Sequence, residues 1–238
     1  MRSTRFIVAA LVWMMAGALL PAQAEDAPPE PARGRHDATS QRTFEDVDYW
    51  KKVFDDPARD AWQKPAELVR ALRLQPGMRV ADLGAGTGYF SRYLSQGVGA
   101  TGAVFAVEVE PELVEYIRQR AEAEGASNVI PVLTSTGEIR LPYRGIDLVL
   151  IVDTYHHLDD RLTYLRRLSR VLSPLGRVAI VDWFKRELPE GPPPEHKLAR
   201  EHVVSEMIEA GYQLAEEPTF LPYQYFLIFK PRKVGAPG

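Results

Sequence analysis

The chain contains no cysteine. That absence excludes disulfides, thiolate metal sites, cysteine nucleophiles and a lipid-bearing cysteine near the N-terminus. A thiol-free chain also suits an oxidising compartment, where it cannot be trapped by misoxidation. Basic excess is lacking too: 29 Lys and Arg stand against 32 Asp and Glu, for a formal net charge of −3. Proteins that hold nucleic acid show the opposite balance, so nucleic acid is not an expected partner. The apolar run Phe6 to Leu20 is too short for an ordinary membrane span, which needs about 20 apolar residues. No internal repeat is present. What the chain does have, over 238 residues, is 45% hydrophobic and 26% charged side chains. This suits one globular domain with a full core plus appendages, and it is unlike a disordered protein.

The N-terminus reads as a targeting segment. Arg2 and Arg5 precede the apolar run, and Ala22-Gln23-Ala24 offers small residues at the cleavage positions, so residues 1–24 are expected to be a signal peptide cut after Ala24. The expected location is the periplasm, with no stable membrane association after cleavage. An uncleaved anchor is the alternative. Loss of the segment removes two arginines and leaves the chain more acidic. Residues 25–40 are rich in Pro, Ala and charge without periodicity, and read as a disordered linker. Residues 41–75 read as a helical cap: an amphipathic stretch Phe44 to Phe54, then Ala58 to Leu74, within which Pro65 is able to start a new helix. Pro76-Gly77 turns the chain into a domain spanning 76–232.

From there strands and helices alternate, which predicts an α/β fold with a parallel sheet covered on both faces. The expected strands are Arg79–Leu83, Val104–Val109, Val129–Leu133, Ile146–Val152, Arg177–Trp183, Gln213–Glu217 and Tyr223–Lys230. The expected helices are Gly88–Gln96, Pro111–Glu124, Arg161–Leu172 and Arg200–Ala210.

The strand Arg79–Leu83 runs into Gly84, Gly86 and Gly88. Alternating glycines permit a sharp turn and let the backbone approach a ligand with no Cβ in the way. The third glycine of the dinucleotide fingerprint is replaced by Tyr89, which would crowd a pyrophosphate and disfavours a nicotinamide-dependent oxidoreductase. About twenty residues on, Glu108 ends a second apolar strand and is followed by Val109-Glu110-Pro111-Glu112. A carboxylate there has two oxygens that match the two hydroxyls of a ribose. Together these residues resemble the cofactor loop and acidic position of the class I S-adenosylmethionine-dependent methyltransferases. The resemblance runs from about Trp62 to Pro231, and Leu172-Ser173-Pro174-Leu175-Gly176 is similar to the turn the family places before its fifth strand, with Leu175 in place of a glycine.

The resemblance implies a doubly wound sheet of seven mostly parallel strands, the last antiparallel. It implies S-adenosylmethionine as cofactor, held by Asp82, Gly84, Ala85, Gly86, Gly88, Tyr89, Glu108, Val109, Ser135 and Asp153. Asp82 is placed to orient the loop or to meet the cofactor's ammonium. Thr134 and Ser135 stand where many members have an Asp beside the adenine. After the fourth strand, Asp153-Thr154-Tyr155-His156-His157-Leu158 lies where the family joins methyl and acceptor. His156 and His157 are candidate bases and Tyr155 a candidate wall of the acceptor pocket. His-His-Leu is also common there in members of unrelated substrate preference, so one histidine serving only to hold the loop stays open. The segment Phe184 to Leu198 is long and Pro-rich, suited to a lid. Asp153, His156, Asp182 and His196 lie near strand ends, but no pair has spacing diagnostic of a metal site. The implied activity is methyl transfer to a small-molecule acceptor; the alternative is an exported, non-catalytic binder of an adenosyl or other small ligand.

Overall fold

A computed structural model describes residues 47–232. The expected signal peptide, the linker and the first residues of the cap fall outside these described residues. Seven helices and seven strands follow in chain order: α1 (Val47–Phe54), α2 (Arg59–Gln63), α3 (Pro65–Ala71), β1 (Arg79–Leu83), α4 (Tyr89–Val98), β2 (Ala103–Glu108), α5 (Pro111–Ala123), β3 (Val129–Leu133), β4 (Ile146–Val152), α6 (Arg161–Leu168), β5 (Leu172–Trp183), α7 (Arg200–Glu209), β6 (Tyr212–Glu216) and β7 (Gln224–Pro231). Single 3-10 turns lie at Tyr155–His157 and Pro194–His196. Among the described residues no helix is long and apolar enough to cross a membrane.

One seven-stranded sheet has the order β3-β2-β1-β4-β5-β7-β6. β1 to β5 are parallel, and β7 runs antiparallel to both β5 and β6. The central strands are apolar at nearly every position because both faces are covered, and their side chains alternate between two cores. On one face Ile146, Val149 and Ile151 of β4 join Leu165 and Leu168 of α6 and Met207 of α7. On the other, Leu148, Leu150 and Val152 join Leu68 of α3, Leu72 and Phe90 and Leu94 of α4. α5 covers the flank, where Ile117 packs on Ala85 and Ala106.

Two expectations are corrected. β5 begins at Leu172, not Arg177, because the segment expected to be a turn is an irregularity inside the strand. Leu172 pairs with Ile146 and Arg177 with Leu148, so residues 173–176 bulge out between two adjacent pairings. Gly176 is needed there, since a Cβ would stand 2.8 Å from the carbonyl of Ile146. Leu175 occupies the crest and is 87% exposed, which is why it replaces a glycine without disturbing the sheet. As β5 starts early, α6 ends at Leu168 and not at Leu172. The second cap stretch is two helices broken at Lys64, whose φ is 46°, with Pro65 opening the second at a position where its missing N–H is harmless.

Candidate active site

The three glycines after β1 all adopt left-handed φ, at 72°, 56° and 76°. Gly84 also has no space for a side chain, and Gly86 little. A Cβ on Gly84 would stand 2.4 Å from the side chain of Thr154, and one on Gly86 would stand 3.3 Å from the ring of Phe54. The loop is stitched to β2: Gly84 and Ala85 donate their N–H groups to the carbonyl of Val107, and Gly86 donates to Oε2 of Glu108 at 2.8 Å.

Glu108 is buried at the tip of β2. Its Oε1 accepts the N–H groups of Val109 at 2.6 Å and Glu110 at 3.3 Å. With Gly86 on Oε2, three of the roughly four acceptor positions of the carboxylate are taken, leaving one for a ligand hydroxyl rather than a grip by both oxygens. Burial pushes its carboxyl above the ordinary range, and the three backbone N–H groups pull part of the way back.

Asp82 is buried at the end of β1. It accepts a 2.7 Å bond from Ser91 of α4, inside the core, and burial raises its carboxyl to about 6 against the opposing pull of Ser91 and Arg59. Thr134 gives its hydroxyl to the carbonyl of Glu138, while Ser135 is exposed in the same turn. Tyr89 does not open onto the loop: its hydroxyl donates to Asp60, and the Arg59 guanidinium lies 4.4 Å over its ring. Tyr155 is fully buried, with its hydroxyl donated to Glu206 of α7 at 2.8 Å. It is therefore core, not pocket wall.

His156 and Asp182 form the most ordered pair at the ends of β4 and β5. His156 Nδ1 lies 2.9 and 3.0 Å from the two oxygens of Asp182, which also accepts the N–H groups of His156 and Trp183. Burial by itself would lower His156, but the charge and hydrogen bond of Asp182, helped by Asp153, outweigh it and hold the imidazole above its ordinary value. His157 packs against it with the rings tilted by 42° and their centroids 4.2 Å apart. The segment after β5 folds back on Trp183: Gly191 lies against the indole, and the buried Lys197 ties the segment down by donating to the carbonyl of Arg186 at 2.8 Å. Among the described residues no group of three or more His, Asp or Glu side chains is placed to hold a metal.

The cap contributes groups that sequence reasoning missed. Asp55, just past α1, accepts from Thr87 at 2.9 Å, Tyr116 at 3.2 Å and Arg120 at 2.8 Å, so the cap is fastened to the glycine loop and to α5. Arg59, Gln63, Gln224 and Asp153 close a ring. Arg59 Nε donates to Gln63 at 3.0 Å, Gln63 to Gln224 at 2.7 Å, Gln224 to Asp153, and Arg59 Nη2 to Asp153 at 3.4 Å. One signal for this ring was present in the sequence: Gln224 interrupts an apolar, aromatic strand, and a buried amide requires partners. An open hollow of about 380 Å³ lies elsewhere, lined by Arg140, Arg167 and Arg170 beside Glu138. It has neither the glycine backbone nor the histidine and carboxylate pairs, so the chemistry points to the loop.

Residues 80–176 match the family described as a methyltransferase domain. An S-adenosylmethionine-dependent methyltransferase from Aquifex aeolicus, known from its crystal structure, is 32% identical, with a TM-score of 0.73 over 77% of this chain and 97% of its own. The protein-L-isoaspartate O-methyltransferase of Aeropyrum pernix is 43% identical over 81 residues, 33% of this chain and 31% of that protein. Methyltransferase GfsG of Streptomyces halstedii is 31% identical over 138 residues, 56% of this chain and 49% of that protein. The chain thus spans half or less of the length of these two curated relatives.

Proposed function

Because the chain belongs to the S-adenosylmethionine-dependent methyltransferases, we propose that it moves the methyl group of that cofactor to a small-molecule acceptor beyond the ends of β4 and β5. One observation carries the reading: the loop of three left-handed glycines after β1 is bonded directly, through the N–H of Gly86, to a buried carboxylate at the tip of β2. These residues fit the cofactor. Gly84 has no room for a Cβ, Gly86 is tight against Phe54, and Glu108 keeps about one acceptor position for a ribose hydroxyl.

When bound, S-adenosylmethionine supplies a sulfonium-activated methyl group. The chain's own residues then position the acceptor, exclude water and take up its proton. His156 is suited to that last task. With Nδ1–H donating to the Asp182 carboxylate, the neutral ring carries its lone pair on Nε2, where it can take a proton from a hydroxyl, thiol or amine. Relatives include an isoaspartate O-methyltransferase and demethylmenaquinone methyltransferases, which differ in acceptor, so no single acceptor follows from them.

Calorimetry tests the assignment. The protein should bind S-adenosylmethionine and S-adenosylhomocysteine and not NAD. Gly86→Val should abolish binding by placing a branched side chain at φ 56° against Phe54. Binding of NAD without binding of S-adenosylhomocysteine would overturn the reading.

A further inference from the structure

The open hollow of about 380 Å³ takes no part in the site described above, yet its size falls within the range of about 300–1,000 Å³ typical of small-molecule sites. It lies where the segment between β3 and β4 meets the end of α6. Arg140 comes from the segment, Arg167 from the last turn of α6 and Arg170 from just past the helix end, while Ile139 and Val171 supply apolar lining. Glu138 adds a carboxylate. Three guanidiniums against that one carboxylate leave the lining with a formal charge of +2, on a chain whose net charge is −3.

The donors of these arginines are largely unspent. Arg140 pairs with Glu138 at 3.0 Å, but both side chains are more than half exposed, and a pair of that kind is weak and easily exchanged. Among the described residues, the guanidiniums of Arg167 and Arg170 have no hydrogen bond, ion pair or ring contact. Their spacing of three brings them to one side of the chain, where like charges repel. A cation is welcome in the last turn of a helix, and Arg166, 3.7 Å from Glu209, already fills that role. The same argument covers neither Arg170, beyond the helix, nor Arg140, from another element. The end of α6 does not turn bare carbonyls on an anion either, since Arg167 O accepts the N–H of Arg170 and Arg170 O that of Arg144, both at 3.0 Å.

We propose that this hollow binds a phosphate monoester. A phosphate presents three terminal oxygens in different directions and can accept from guanidiniums on two walls at once, whereas a single carboxylate fills one planar fork. Its charge of about −2 near neutral pH matches the +2 of the lining. The volume exceeds that of the phosphoryl group alone, so the esterified part lies against Ile139 and Val171. Gly137, at φ 79°, lends only backbone to the lining. The site is separate from the glycine loop, and the proposal stands or falls independently of the cofactor reading.

Calorimetry on the full-length protein at constant ionic strength tests it, with glycerol 3-phosphate as the probe and acetate as the control anion. One saturable site is expected, with acetate at least about tenfold weaker. Arg167→Gln and Arg170→Gln should each weaken glycerol 3-phosphate about fivefold or more, and the double variant should lose measurable binding. Both side chains are exposed, so the melting temperature of the ligand-free variants should stay within about 2 °C of the natural protein. Flotation with phosphatidylcholine vesicles, with and without phosphatidic acid, separates the two sources of a monoester. A gain from phosphatidic acid that the double variant lacks assigns the hollow to a lipid headgroup, and binding of glycerol 3-phosphate without that gain assigns it to a soluble ligand. Binding of neither, binding that acetate matches, or binding that survives in the double variant overturns the proposal.

Discussion

A single imidazole shows how local surroundings set chemistry. His156 is buried, which by itself favours the neutral ring, yet Asp182 faces its Nδ1 with both oxygens and Asp153 adds to the field. The net direction is upward from 6.5. A base whose folded pKa is raised stabilises the fold fully below the unfolded value, and that contribution is lost as pH rises through the folded value. Asp182→Asn should therefore lower stability by about 1–3 kcal/mol at pH 6, the scale of a hydrogen bond to a charged group, and by less at pH 9, where only the neutral Nδ1–H bond is missing. NMR titration of the ring should show His156 above 6.5 in the natural protein and lower in the variant. A ring that titrates at the same pH in both would remove Asp182 as its partner.

At the scale of elements, the parallel core was legible and the cap's attachments were not. Runs such as Leu148 to Val152 are apolar at every position because helices cover both faces, and that pattern survives in sequence. The irregularity in β5 did not, because Ser173 to Gly176 has turn chemistry and only the pairing of Leu172 with Ile146 makes it strand. Glu108 and the glycines were legible from local spacing. Arg59 was not, since its ring partners Gln224 and Asp153 lie far along the chain and no local pattern announces them. Asp55 is the same case, and it carries a prediction. Its carboxylate is the shared acceptor for Thr87, Tyr116 and Arg120, so Asp55→Ala unlatches the end of α1 from the glycine loop. Amide exchange in Val47–Phe54 should accelerate about tenfold or more, the equivalent of about 1.4 kcal/mol of local opening, while exchange in β1 and β4 stays slow. Uniform acceleration across the sheet would mean that α1 has no separate opening.

Over the whole molecule, the cap belongs to the fold, and this decides where the chain tolerates a cut. Leu68 and Leu72 are fully buried among Val80, Phe90, Leu94 and Leu148, and each contributes about 1.5–3 kcal/mol on burial. Further ties cross to the sheet and to the segment before β7: Arg177 donates to the carbonyl of Leu72 at 2.7 Å, Lys64 to that of Phe220 at 3.2 Å, and Gln63 to Gln224. Against a typical total stability of about 5–15 kcal/mol, a chain starting at Pro76 loses a large share and bares apolar surface on one side of the sheet. A chain starting at Glu25 keeps every described element, because α1 begins at Val47. We propose that the cell makes that second cut, by removal of a signal segment after Ala24. The chain starting at Glu25 should melt in one cooperative transition, and the chain starting at Pro76 should aggregate or melt far lower. Expressed with its own N-terminus in a bacterium with a periplasm, the protein should be recovered there, and mass spectrometry should read Glu25 as its first residue. Intact protein in the membrane fraction would instead mean an anchored enzyme. In that case protease accessibility from outside would give the side on which the domain faces, and a cytoplasmic face would give it direct access to the cofactor made there.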